Sequence, residues 1–410
     1  MVRLAGVLLI ALHSFLLPVN AIPSPVDSFF TPAAYISYEL PKASTPYDVV
    51  AAPWSGQTSS SPVFSVLNVS EPVQMRDSSN EWDIYRDGGG SCSLANTTFF
   101  VFCDTGAYNE SDELVAFASN SLSVVTDFED IGELADATMV ESVQSKFAAI
   151  PFTTNEAKYN DLQSTRYALW TYTNCIQINS SYALHFWGVH HYYNSTTSHY
   201  YGNTLSIYTL DEATNNITVA RPFTLAFTSG RYPYGSFANL VVDDYVYLYA
   251  TDSTYSDNYD IHVARCPKDS ILDFTTCAYY DAAEDYWSST IPVPTGRRQS
   301  AAIITNGTTF SSGSMYYSEY HQAYVLIYFS NMADNLFRLI SSPTPLGPWN
   351  VTDTVLYNST EGPLGYNYGG VAHPIYYQTD DQVAGQSVML HYSYQDTNGT
   401  YPLAVKLEFE

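Results

Sequence analysis

Positive charge is what this sequence has least of. Lys and Arg total 15 against 41 Asp and Glu, for a net charge of −26. A polyanion of that size repels DNA, RNA and anionic membranes, so those partners are excluded. Long apolar runs are also missing: after residues 4–17 none approaches the roughly 20 residues of a membrane span. Helical periodicity is scarce, and residues 130–146 are the one segment that predicts a helix. No glycine-rich phosphate loop, nucleotide fingerprint or Ser-His-Asp order is present, and no cofactor is expected. His190-His191 lacks a carboxylate or cysteine partner at metal spacing, so no metal site is predicted. An axial calcium or sodium ion has no loop motif behind it.

The single apolar run sits between Met1-Val2-Arg3 and Val19-Asn20-Ala21. A short positive start, an apolar stretch of that length and a small residue at the break describe a secretory signal peptide, residues 1–21. A soluble, secreted, extracellular protein is expected, acting as a monomer. Ten Asn-x-Ser/Thr sequons agree: Asn68, Asn96, Asn109, Asn179, Asn194, Asn216, Asn306, Asn350, Asn358 and Asn398. Each expects glycosylation on a surface loop. Five cysteines in an oxidising compartment predict disulfides with one thiol left over. Cys266 and Cys277 enclose a short loop. Cys92 and Cys103 face each other if the first hairpin turns near Thr97, which leaves Cys175 as a buried thiol.

What the chain has in quantity is tyrosine, 37 copies. Aromatic and β-branched residues favour strands. Residues 22–62, rich in Pro, Ser, Ala and Thr, read as an extended arm. Thereafter one pattern recurs: glycines or an arginine introduce a strand, a hairpin follows, and further strands lead to a linker. The starts lie at Gly88-Gly89-Gly90, Arg166, Tyr234-Gly235-Ser236, Arg297-Arg298 and Gly369-Gly370. In the fourth unit, residues 301–305 read as the first strand and 315–317 as the second. Four strands repeated five times predict an all-β, five-bladed β-propeller over residues 63–410. Its blades fall near 63–150, 151–230, 231–292, 293–360 and 361–410. The outer strand of the first blade comes from residues 63–67 or from the C-terminus.

Such a meander returns its second corner to the face where its first strand begins. Asp87, Arg166, Arg298 and His373 at strand starts should therefore meet Asp104, His190, Asp252 and Glu319 at second corners. Two acids at one site suit glycosidic bond cleavage. Asp87 is the candidate general base and Asp104 its modulator. Glu319, among tyrosines, is the candidate proton donor. Arg86, Arg166, Arg298, Asp252 and His373 are candidate substrate ligands; the guanidinium fork suits sugar hydroxyls or a uronate. Polysaccharide or oligosaccharide is the expected partner. A non-catalytic carbohydrate-binding propeller and a lyase acting on a uronate-containing glycan are the alternatives.

Arg86-Asp87-Gly88-Gly89-Gly90, Phe102-Cys103-Asp104-Thr105 and Ser119-Asn120-Ser121 resemble the R-D-G-G, F-G-D-T and S-N-S pattern of domain-of-unknown-function 4185 proteins. That group includes fungal secreted members and bacterial endo-D-arabinanases. Tyr317-Ser318-Glu319-Tyr320 resembles its N-E-Y corner, and residues 340–349 resemble a segment common in five-bladed furanosidase propellers. The resemblance implies a five-bladed propeller and a hydrolase acting on arabinofuranose-type linkages. His373 resembles the axial histidine of such propellers. Cys103 and Ser318 depart from the pattern, standing where glycine and asparagine are usual.

Overall fold

The computed structural model describes residues 34–39, 64–80, 82–95, 97–137, 149–160, 165–194, 197–251, 259–294, 301–305, 310–330, 334–350, 353–374 and 383–410. Nearly all regular structure within them is β. Runs such as Thr97–Phe102, Tyr245–Thr251 and Ala323–Phe329 form strands buried along almost their whole length. Branched and aromatic side chains pack well on a pleated surface covered on both faces.

Five antiparallel sheets of four or more strands make up most of the fold, with one small three-stranded sheet beside them. The five meander outward from inner strands at Gly90–Leu94, Ile176–Asn179, Ala238–Val242, Ser312–Ser318 and Tyr368–His373. These inner strands touch one another in chain order, and the last touches the first. An apolar cluster fills each gap between neighbouring sheets. Phe99 packs with Trp187 and Tyr208, Phe186 with Val246, and Phe237 with Tyr328. Phe329 packs with Tyr392, and Phe100 and Phe102 with Met389. Burying each large side chain contributes about 2–3 kcal/mol, so the gaps rather than local propensity hold the sheets together.

The last sheet draws on both ends of the described chain. Thr400–Phe409 pairs with Ser387–Gln395 on one side and with Val66–Val69 on the other. The strand expected near residues 63–67 thus completes the last sheet instead of the first. Ala34–Glu39 adds an edge strand against Asn216–Arg221; residues 1–21 and the rest of 22–62 lie outside the described residues.

Some expectations are corrected. The inner strand of the fourth sheet is Ser312–Ser318, paired with Ala323–Phe329. Residues 301–305 instead bridge Ile304 to Ile261. Leu114–Ala118 belongs to the small sheet with Asp83–Arg86 and Thr105–Tyr108, and Ser121–Val125 takes the third place in the first sheet. Within the segment expected to hold a helix, Leu134–Asp136 is a strand and residues 138–146 fall outside the described set; the helix that is described lies at Thr154–Asn160. It starts on a capping box: Thr153 Oγ1 accepts from the Glu156 N–H at 3.4 Å, and the Glu156 carboxylate accepts from the Thr153 N–H at 2.8 Å.

A further correction concerns a disulfide. Cys266–Cys277 forms as expected, but Cys92 bonds Cys175 and Cys103 is the buried free thiol. The first hairpin pairs Leu94 with Thr97, which puts Phe99 opposite Cys92 and leaves Cys103 four residues further along. The Cys175 N–H donates to the Ser91 carbonyl at 3.0 Å, and that bond draws the second sheet's cysteine alongside Cys92.

Candidate functional site

The glycine run lets the backbone thread a gap no other residue passes. A Cβ on Gly89 would lie 2.0 Å from the Val101 carbonyl oxygen, and one on Gly90 would lie 1.8 Å from that of Thr173. Gly88 and Gly89 have φ of 54° and 102°, in the left-handed region that glycine tolerates. Just before this run, the Asp87 N–H donates to the Asp104 carbonyl at 3.2 Å, and the Cys103 N–H donates to the Asp87 carbonyl at 2.8 Å. The reciprocal pair ties the two aspartates together.

Each acid then meets a different environment. Asp104 accepts both prongs of the Arg166 fork, at 3.0 and 2.6 Å, and the Trp170 Nε1–H at 3.0 Å. Strand alternation explains the pairing, since Arg166 and Trp170 are four apart in Arg166–Trp170 and share a face. Asp87, only 7% exposed, accepts from the Tyr368 hydroxyl through Oδ2 at 2.5 Å. Its Oδ1 is buried and makes no hydrogen bond. Burial first, then the negative charge of Asp104, push the Asp87 carboxyl up to about 7, against the pull of Tyr368 and Arg166. One aspartate is thus clamped by Arg166 and Trp170, and the other is poised to carry a proton near neutrality.

Behind them sits Cys103, whose Sγ lies 3.2 Å from both the N and the O of Thr171. Burial first, then Asp87, raise its thiol well above the usual range, so it is a neutral filler. The Gly88 peptide is fixed from the last sheet: its N–H donates to Ser393 Oγ at 2.8 Å, and its carbonyl meets His391 Nε2 at 3.1 Å. A carbonyl only accepts, so His391 Nε2 carries the proton. His391 Nδ1 then accepts from His373 Nε2 at 2.6 Å, and His373 Nδ1 accepts from the Ser91 hydroxyl at 2.8 Å. Burial keeps both rings neutral, His391 at about 4 and His373 well below the ordinary histidine value.

The structure therefore brings together Asp87, Asp104 and Arg166 and parts them from Arg86, His373 and Glu319. Arg86, next to Asp87 in an extended strand, points the opposite way. Its guanidinium is buried against Ser123 Oγ at 2.6 Å and Asp136 Oδ2 at 2.9 Å, and packs on Phe102, so it joins the sheet interior and cannot bind substrate. Burial raises the Asp136 carboxyl, but the Arg86 charge and three hydrogen-bonding partners outweigh it and hold the group below the usual range. His373 is wholly buried and braces Gly88 through His391; it does not line a surface. Arg298 and Asp252 lie outside the described residues.

Glu319 is exposed and belongs to the opposite end of the inner strands. The Ser91 N–H donates to Asn174 Oδ1, Asn174 Nδ2 to the Ala372 carbonyl, and the Ala372 N–H to Ser314 Oγ, which puts these four residues at one level. Asp87 precedes that level by four residues. Glu319 follows it by five, ~16 Å of extended strand. The one-strand shift in the fourth sheet is the reason, because successive strands of a meander reverse direction. Glu319 lines a separate cavity of about 540 Å³ with Ser91, Asn174, Gln177, Asn239 and Tyr317. The two acids paired from the sequence do not share a site.

Tyr368 and Trp170 are the residues that sequence reasoning missed. Trp170 carried a signal, its i+4 spacing from Arg166 in a strand. Tyr368 immediately precedes Gly369-Gly370, as Asp87 precedes its own glycines, and only the closed order of sheets brings the two together.

Residues 82–402 match the model of a family described as domain of unknown function, DUF4185. No curated protein matches the chain. Among solved structures, a protein from Bacteroides ovatus ATCC 8483 described as a candidate hydrolase is similar at 17% identity and TM-score 0.55, over 81% of this chain and 86% of that one. This likeness speaks for the fold. A GH43_1 enzyme from Xanthomonas citri complexed with xylotriose gives 12% identity and TM-score 0.43, over 85% and 90% of the two chains. An exo-1,5-alpha-L-arabinanase from a bovine ruminal metagenomic library gives 10% and 0.42, over 82% and 99%.

Proposed function

We propose a function for this chain on the footing that it belongs to the DUF4185 family. It is a secreted, glycosylated five-bladed propeller that hydrolyses glycosidic bonds, at arabinofuranose-type linkages of a polysaccharide. The observation that carries the reading is the contrast between two adjacent aspartates. Asp104 is clamped by Arg166, while Asp87 has a carboxyl raised to about 7 and a buried oxygen with no partner.

Pairs of carboxyls whose environments differ divide acid and base roles between them. Tyr368 holds Oδ2, and the Asp87 carboxyl gives its proton to the departing glycosidic oxygen as the bond to the anomeric carbon breaks. Asp104, paired with the Arg166 fork, stabilises the positive charge that develops on the sugar ring, and water adds to the anomeric carbon and gives a proton back to the Asp87 carboxylate. Asp87 is therefore assigned as proton donor, the role first given to Glu319. Two disulfides, the absence of a membrane-length apolar helix among the described residues, and exposed sequon residues such as Asn68, Asn179 and Asn358 accord with secretion. The lyase alternative calls on the arginines to neutralise a uronate; Arg86 and Arg166 are already engaged by Asp136 and Asp104, and Arg297 and Arg298 lie outside the described residues.

The test is incubation of the purified protein with arabinan, arabinogalactan, xylan and pectic polymers, with reducing ends measured. Wild type should release sugar from a furanoside polymer without an unsaturated, ultraviolet-absorbing product. An unsaturated product, or none from any polymer, would reject the reading.

A further inference from the structure

The strands Tyr182–Tyr192 and Ser198–Asp211 are long, and their shared end pairs with Arg166–Trp170 to make a three-stranded arm beside Asp104. Alternation sorts its side chains onto two faces. Tyr167, His191 and Tyr201 share one face: the Tyr167 and His191 rings stack at 4.2 Å, and Tyr167 and Tyr201 pack on the apolar core. The other face carries Arg166, Trp170, His190, Tyr192 and Tyr200. None of its four aromatic residues belongs to an apolar cluster among the described residues, and all four are partly exposed. The core does not need them there.

They form a continuous row from the acid pair outward. Trp170 donates to Asp104, the Trp170 and His190 rings lie 4.6 Å apart, and His190 and Tyr200 lie 5.3 Å apart. Tyr192 lies 5.8 Å from Trp170 and covers the Arg166 guanidinium at 4.8 Å. Two interstrand steps separate the Trp170 and Tyr200 strands, roughly 10 Å, a span longer than one sugar ring. Among the described residues the face offers no uncommitted charge. Asp104 holds the Arg166 fork, and burial first, then Arg166 and His199, lower the His190 ring to about 4, so it is neutral in ordinary media.

We propose that this face is a glycan-binding platform: successive rings of a neutral polysaccharide stack on Trp170, His190 and Tyr200, and so bring the scissile linkage to Asp87. The proposal rests on the hydrolase reading of the acid pair and adds the substrate class, a neutral chain of several sugars. Aromatic rings suit the task because they combine an apolar face for the sugar with a polar edge for its hydroxyls.

The test is calorimetric titration of the intact Asp87→Asn protein with arabino-, xylo- and galacto-oligosaccharides of two to six residues, beside an oligogalacturonide. Affinity for one neutral series should rise with chain length, and the uronide should not bind. Adding Tyr200→Ala or His190→Ala should weaken the longest ligand about threefold to tenfold, with Tyr200→Phe nearly restoring it. Unchanged affinity in both alanine variants with unaltered melting temperatures, tighter binding of the uronide, or no binding of any probe would overturn the platform. Turnover by wild type with unchanged affinity in the variants removes the platform and leaves the hydrolase reading. Length-dependent binding lost in the variants, without wild-type turnover, supports the platform and removes hydrolysis.

Discussion

Tyr368 donates its hydroxyl to Asp87 Oδ2 at 2.5 Å although 281 positions separate the two in the chain. A hydrogen bond to a carboxylate favours the ionised form, so it restrains a carboxyl that burial and Asp104 drive upward. Tyr368→Phe should let the Asp87 pKa climb further. The alkaline limb of kcat/KM, which reports loss of the proton from Asp87, should move to higher pH by about 0.5–1 unit. A limb that stays in place or moves down would show that Asp87 is not the titrating acid.

The same shift makes Asp87 a liability to the fold above neutrality. Its folded value near 7 exceeds the unfolded 3.8, so the folded state binds the extra proton between those values. Stability attached to that proton is complete below pH 4 and is lost as pH rises through 7, up to about 4 kcal/mol. Asp87→Asn, which cannot ionise, should leave the urea midpoint little changed at pH 4 and raise it at pH 8. A wild type whose midpoint rises from pH 5 to 8 in parallel with the variant would contradict this.

The ion pair between Arg221 and Glu156 is buried on both sides and anchors the only α-helix among the described residues to the second sheet. Arg221 also reaches Thr204 Oγ1 at 3.1 Å. Glu156→Gln leaves the guanidinium without a counter-charge and should cost about 3–5 kcal/mol, read as a lower denaturant midpoint. A change below about 1 kcal/mol would mean water reaches the pair.

Thiol chemistry separates the two cysteine pairings. With Cys92 joined to Cys175, native protein should be unreactive to a thiol reagent, and unfolded, unreduced protein should yield one equivalent, mapped to Cys103. A label on Cys175 instead would restore the hairpin pairing expected from sequence.

Much of this architecture can be read from the chain, because strand-forming runs and glycine or arginine starts recur at similar spacing. The meeting of Asp87, Asp104 and Arg166 followed from that pattern. The fourth sheet resisted for a local reason. Ala301-Ala302-Ile303-Ile304-Thr305 looks more strand-like than Ser312-Gly313-Ser314, yet the second segment is inner strand. Position 313 requires glycine because a Cβ there would lie 2.6 Å from the Phe237 ring of the third sheet. That is a contact between sheets, which no local pattern encodes, and it decides to which end Glu319 goes. The Tyr368–Asp87 bond and the Cys92–Cys175 bridge escaped for the same reason. Each depends on which sheets become neighbours.

The most direct test of the central claim is polysaccharide cleavage by Asp87→Asn beside wild type and Asp104→Asn at the wild-type optimum pH. Loss of the proton donor should lower turnover by about 10²–10⁴-fold while the melting temperature holds or rises. Wild-type turnover by folded Asp87→Asn would contradict the account.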